Sequence, residues 1–307
     1  MSAGGGTKAI VAALAANAGI AVAKFGGFLF TGSSSMLAES VHSLADTSNQ
    51  GLLLLGQKTS RRKPTEEHPF GYGRDRYFYS FVVALLLFSL GSVFALYEGT
   101  HKVQHPEPLE SAWVAVVILL IAIGLESFSF ITAIKESKPL KGGLSWWQFI
   151  REAKTPELPV VLLEDVGALI GLVLALGGVG LTVLTGNPVW DGIGTVCIGL
   201  LLGAIAIVLI VETKSLLIGE GAARDVLDEI VAQLESERVE KVIHIRTQYL
   251  GPDELLIAAK IGLAPSLSVR EVAAEIDGAE ERIRAKVPAA RLIYLEPDLE
   301  RGRATTG

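Results

Sequence analysis

Apolar residues gather along the chain into six blocks, at residues 8–30, 36–57, 77–97, 112–134, 159–184 and 190–211. About 20 mostly apolar residues in a helix cross the hydrocarbon of a bilayer, so each block is long enough to span one. All six are predicted to be helical, because lipid offers exposed backbone groups no partner. The stretches TGSSS and TGNP read as tight turns between the first and second blocks and between the fifth and sixth. Gly167, Gly171, Gly199 and Gly203 stand at four-residue spacing in the last two blocks, a pattern that lets helices approach closely.

Beyond residue 213 the continuous apolar pattern gives way to a periodic one. Val226, Leu227, Ile230, Val231 and Leu234 recur at helical spacing. A strand is predicted over residues 242–249, then a turn at Gly251 and Pro252, then a strand in which Leu255, Ile257, Ala259 and Ile261 share one side. Ser268 and Glu271 have capping-box spacing and open a helix carrying Val269, Val272, Ile276 and Ile283, followed by a last strand in ARLIYLE. The expected organisation is therefore a six-helix transmembrane domain at 1–213, a cytoplasmic α+β domain at 214–300 and a polar tail at 301–307.

Half of the 307 residues are hydrophobic and the mean hydropathy is +0.45, higher than in a soluble domain and in line with the blocks. The first block runs past Lys24 to Phe30, longer than the apolar core of a removable signal peptide, and is read as a span. Cys197 is the sole cysteine, which excludes an intrachain disulfide or thiolate cluster. A net charge of -6 gives no reason to expect a nucleic-acid partner. The connection after the second block carries Lys58, Arg61, Arg62, Lys63, Arg74 and Arg76, and the one after the fourth carries Lys135, Lys138, Lys141, Arg151 and Lys154. The other connections hold only Lys102. The positive-inside rule then puts both basic connections, both termini and the soluble domain in the cytoplasm, with the plasma (inner) membrane as the site in a bacterium.

Ionisable groups inside apolar spans carry the chemistry. In the second block Glu39, His42, Asp46 and Asn49 recur at steps of three or four and form one polar stripe. A central charge costs about 2.5–3.5 kcal/mol on insertion scales, so several in one span argue for function. His42 and Asp46, at i and i+4, offer an imidazole and a carboxylate to one point, half of a tetrahedral site. The fifth block contributes Glu164 and Asp165, which diverge by about 100° around the helix axis. Asp165 is the expected ligand, and Glu164 a fourth ligand, a carboxylate orienting His42, or a proton carrier. Asn17, Lys24, Glu126 and Cys197 are the further intramembrane polar groups considered, with Lys24 either snorkelling outward or neutralising Glu39 and Glu126 a candidate for a proton path. A mixed imidazole and carboxylate set suits zinc, iron(II), manganese or cobalt better than magnesium. Because metal ligands must be deprotonated, filling such a site releases protons.

The residues that carry this reading also carry a resemblance. SSSMLAESVHSLADTSNQG, HPFGYGRDRY and VVLLEDVGALIG together resemble the cation diffusion facilitators, most closely their zinc transporter nine clade through HSLADTSNQG, LLEDVGALIG and TGNPVWD. The resemblance implies a homodimer that exchanges zinc or a related divalent cation for protons by alternating access, with the cation as substrate and no cofactor. It implies two ligands from the second span and two from the fifth. His42 and Asp46 match the first pair and Asp165 the last position. Val161 stands at the remaining one and cannot coordinate, leaving Glu164, Glu39 or a water as substitute. It implies a metallochaperone-like, ferredoxin-like cytoplasmic domain used for dimerisation, and an accessory metal near His68 and Asp75 in some members. With His244 as the one histidine after residue 213 and no cysteine there, no robust metal cluster is expected in that domain, and Glu296 and Asp298 offer at most a weak site. The competing readings are a non-transporting scaffold, suggested by Val161, an intramembrane metalloenzyme, for which no His-Glu-xx-His pair is present, and a passive channel.

Overall fold

The computed structural model describes residues 5–31, 34–106, 108 and 112–299, without the side chains of residues 5–9, 34–42 and several others in the first helix. In chain order the elements are α1 (Gly5–Thr31), α2 (Ser34–Thr59), α3 (Asp75–Leu86), a π-helical stretch (Leu87–Val93), α4 (Phe94–Gln104), α5 (Ala112–Lys141), α6 (Trp146–Glu152), α7 (Glu157–Thr185), α8 (Val189–Ile218), α9 (Arg224–Leu234), β1 (Val239–Gly251), β2 (Glu254–Leu263), α10 (Val269–Lys286) and β3 (Ala290–Asp298). They divide into two compact units. One is Met1–Thr59 with Asp75–Lys214, the other Ser60–Arg74 with Ser215–Gly307.

Among the described residues four helical segments are long and apolar enough to cross a membrane: Asp75–Gln104, Ala112–Lys141, Glu157–Thr185 and Val189–Ile218. Each outruns its apolar block, α5 by seven residues past Ile134 and α8 by seven past Val211. A hydropathy limit marks where lipid-compatible side chains stop, whereas the backbone ladder continues through helix-favouring Lys135, Glu136 and Lys138. α1 and α2 have 27 and 26 residues, and the side chains of part of each lie outside what the structure describes.

Local chemistry sets the element ends. Gly186, at φ 68°, closes α7 and sends its N–H to the Thr182 carbonyl at 2.9 Å, a left-handed cap that glycine adopts without a Cβ clash. Helix α6, in a region expected to be loop, starts at a capping box between Ser145 and Gln148; the Ser-x-x-Gln signal is legible in the sequence.

The first unit's core includes Leu53, Val83, Leu158, Val161, Ala206 and Leu209, all 0–1% exposed. Small residues bring its helices close. A Cβ on Gly167 of α7 would stand 2.8 Å from Ile205 of α8, and one on Gly199 of α8 would stand 2.8 Å from Leu96 of α4. Ser92, in the π-helical stretch, donates to the Gly199 carbonyl at 2.8 Å. At the start of α3 the Arg76 guanidinium grips the Glu157 carboxylate of α7 through two nitrogens. Glu157 is 1% exposed and Arg76 11%, so this pair is effectively desolvated.

The second unit has a three-stranded sheet in the order β1-β2-β3. β1 and β2 are antiparallel, with Tyr249 opposite Leu255. β2 and β3 run parallel, and α10 makes the crossover that parallel neighbours require. Leu255, Ile257 and Ile261 bury one face against Ile230 and Ile283 of the helices; fully burying each such side chain is worth about 1.5–3 kcal/mol. The α-β-β-α-β order is as the sequence predicts. It has one strand fewer among the described residues than a four-stranded ferredoxin-like layout, because only a short link separates α8 from α9. The loop Ser60–Arg74 belongs to this unit: a Cβ on its Gly73 would come within 2.7 Å of the Leu250 carbonyl at the β1–β2 turn. Ser268 and Glu271 form the predicted capping box, whose hydrogen bonds hold the exposed Glu271 carboxyl below its usual range.

Candidate intramembrane metal site

Four carboxylates from three helices meet inside the first unit. Asp46 of α2, Glu126 of α5, and Glu164 and Asp165 of α7 line one cavity of about 20 Å³ together with Asn17, Leu87, Ala168 and Leu202. A neighbouring cavity of about 40 Å³ shares Asp46, Glu126, Ala168 and Leu202 and extends to Lys24 and Ser43. Each has room for at least one water, for which about 10–15 Å³ suffices. Leu87, which begins the π-helical stretch, borders the first cavity.

Glu164 and Asp165 are held by side chains from other helices, and Glu126 lies on a buried polar stripe. Asn49 and Gln50 of α2 donate to the two oxygens of Glu164, each at 3.2 Å. Ser129 of α5 donates to Asp165 at 2.9 Å. Lys24 of α1 donates to Ser43 of α2, also at 2.9 Å. Asn49, Gln50, Glu126, Ser129, Glu164 and Asp165 are all at most 8% exposed. Hydrogen bonds to charged groups contribute about 1.5–3 kcal/mol each, and burial raises the cost of losing one. The amide oxygens of Asn49 and Gln50 accept no hydrogen bond. Buried carbonyl oxygens without donors are suited to face a cation or a water bridging to one.

Several sequence expectations change here. Glu164 and Asp165 diverge as helix geometry requires, one toward α2 and the other toward α5, yet both border the same cavity. Glu126, which the sequence could not place near Asp165, is beside it. Lys24 does not snorkel outward: it is 4% exposed and lines the cavity with Asp46 and Glu126. The side chains of Glu39 and His42 lie outside the described residues. Among the described residues no three His, Cys, Asp or Glu side chains close to metal-binding distance. Val161 is fully buried in the apolar core, one helical turn before Asp165.

Outside the membrane-crossing helices, His68 is exposed and sets its ring edge-on to Tyr72 at 4.7 Å, whereas Asp75 opens α3. The two residues fall in different units. Glu296 and Asp298 are engaged by Lys260, at 2.8 and 3.2 Å. The hydrogen bonds that Lys260 donates to them, that to Glu296 foremost, raise the lysine above its ordinary pKa, so both carboxylates have an ion-pair partner.

Sequence reasoning missed Gln50 and Ser129. Both carried a signal: Gln50 stands four residues after Asp46, and Ser129 three after Glu126. On α5 the buried positions Ala122, Glu126, Ser129, Ala133 and Ser137 form one stripe of small and polar residues at steps of three and four.

Apolar helices enclosing a carboxylate cluster define the class, a multi-pass membrane protein with a polar interior. The chain belongs to the cation efflux family, whose model, the cation efflux transmembrane domain, matches residues 10–218. Members of this family are transporters and not enzymes. The chain is 35% identical over 257 residues to the mitochondrial proton-coupled zinc antiporter SLC30A9 of Xenopus laevis, covering 83% of this chain and 46% of that protein. It is 32% identical to the human SLC30A9 over the same extent of this chain, covering 45% of that protein. Metal tolerance protein C4 of Arabidopsis thaliana is 30% identical over 83% of this chain and 56% of its own length. The chain thus spans about half the length of these relatives. Among solved structures, the C-terminal domain of MamM in a nickel form matches 26% of this chain and 100% of its own, at 20% identity and a TM-score of 0.24.

Proposed function

We propose that the protein moves a divalent transition-metal cation, zinc foremost and iron(II), manganese or cobalt within range, across a membrane in exchange for protons by alternating access. The observation that carries this reading is the convergence of Asp46, Glu126, Glu164 and Asp165 on one small cavity among apolar helices, where ionisable groups are costly and argue for function. Asp46 and Asp165, with His42 one turn before Asp46, form the transport site, and Glu164, fixed by Asn49 and Gln50, substitutes for the ligand that Val161 cannot supply. Glu126 links this cavity to the one reaching Lys24 and is the proposed proton path. Relatives described as proton-coupled zinc antiporters support the cation and the counter-ion.

In this reading α1 and α2 cross the bilayer with the other four segments, both termini face the cytoplasm, as the basic connections favour, and the C-terminal α+β unit joins two copies into a homodimer. The test is paired flux in proteoliposomes, zinc entry read by one dye and internal pH by another. Zinc entry with opposing proton movement, abolished by Asp46→Ala, is expected. The burial of Val161 favours a second reading, a scaffold that binds metal without moving it; zinc binding without flux in the intact protein would establish that instead.

A further inference from the structure

We propose a second metal site, separate from the intramembrane cluster, formed by His101 and His105 at the end of α4. The two stand at i and i+4, His101 in the last turn of α4 and His105 as the residue that caps it. The turn between them is intact: the His105 N–H donates to the His101 carbonyl at 2.8 Å. Their ring centres are 5.0 Å apart, with a 50° tilt between the planes. With metal–nitrogen bonds of about 2.0–2.1 Å, two imidazoles sharing one ion at roughly 90–110° place their ring centres about 4.5–5.2 Å apart. The observed spacing falls within that range. Tyr97, one turn earlier, stacks on His101 at 6.4 Å with an angle of 25° between planes, which limits the ring's freedom and lowers the entropy lost on binding.

Both histidines are exposed, so an ion reaches them from solution, and neither borders the carboxylate cavities. Two imidazole nitrogens suit zinc, nickel or copper(II) and give no advantage to magnesium or calcium. Water fills the remaining positions, which makes the site weaker and faster to exchange than a closed tetrahedral one. It lies at the C-terminal end of the apolar segment Asp75–Gln104.

The assignment does not depend on transport. Its test uses the tag-free full chain in detergent micelles and copper(II)–iminodiacetate, a chelate with two adjacent open positions that is too bulky for the buried cavities. Electron paramagnetic resonance is expected to report two imidazole nitrogens on one copper in the intact protein. His101→Ala and His105→Ala should each weaken binding by about tenfold or more, since the second bond of a chelate acts at high effective concentration, while Asp46→Ala leaves it unchanged. Wild-type affinity in either histidine variant, or a single coordinated nitrogen in the intact protein, would overturn the site. Because His101 and His105 are exposed and make no core contact, the fold tolerates both substitutions.

Discussion

Ser129→Ala tests whether Asp165 is held for metal binding. The Ser129 side chain is fully buried and its hydroxyl donates to Asp165 at 2.9 Å. Removing a hydrogen bond to a charged group costs about 1.5–3 kcal/mol, which corresponds to roughly a 10- to 150-fold change in an equilibrium. Loss of a partner that orients a metal ligand typically weakens affinity about 10- to 100-fold. The adjoining cavity can admit a water that replaces part of the lost bond, so the lower half of that range is expected. Zinc affinity of the full chain in micelles, measured by competition with a fluorescent chelator, reads the effect. The decisive comparison is a double-mutant cycle with Asp165→Asn, which removes the ligand that Ser129 serves. Ser129→Ala should then add almost nothing. Unchanged zinc affinity in Ser129→Ala, or an equal loss in the Asp165→Asn background, would refute the proposed role of the pair.

Other perturbations separate packing, charge and capping. Arg76→Met leaves the buried Glu157 carboxylate without its guanidinium and should destabilise by about 3–5 kcal/mol, while Glu157→Leu added to it restores most of the loss; thermal unfolding of the two variants in micelles checks this, and a double variant no more stable than the single one contradicts it. Gly199→Ala sets a methyl 2.8 Å from Leu96 and should cost about 1–3 kcal/mol, whereas Gly26→Ala meets nothing within 4 Å and should stabilise by about 0.5–1 kcal/mol; the same melting assay must show opposite signs. Ser268 holds the Glu271 carboxyl below its usual pKa, so this cap is fully effective above the unfolded value of about 4.3 and is lost as pH falls through the lower folded value. Amide protection in the first turn of α10 should therefore be flat from pH 8 to 6 and fall under acid, a fall that Ser268→Ala removes.

The parts of the structure legible in the sequence are those decided by local pattern. Alternation at Leu255, Ile257, Ala259 and Ile261 gives β2, the Ser268 and Glu271 spacing gives the start of α10, and apolar length gives the four segments that can cross a membrane. Asp46, Glu164 and Asp165 stand out because ionisable groups in apolar helices are costly. Long-range partners were not legible. Nothing local shows that Ser129 reaches Asp165 or that Gln50 joins Asn49 on Glu164, since helix order in sequence leaves open which faces meet. The placement of Lys24 fails for the same reason: a long side chain can extend toward water or toward a neighbouring helix, and here Ser43 receives it. The π-helical stretch has no propensity signature, although Leu87 at its start borders the carboxylate cavity.

The most direct examination of the transport site is an anomalous difference map from crystals of the zinc-loaded protein. A peak between α2 and α7, with Asp46 and Asp165 oxygens and a His42 nitrogen about 2.0–2.2 Å away, is the predicted result. Zinc found only elsewhere, with Asp46 and Asp165 turned away from any common ion, would contradict it.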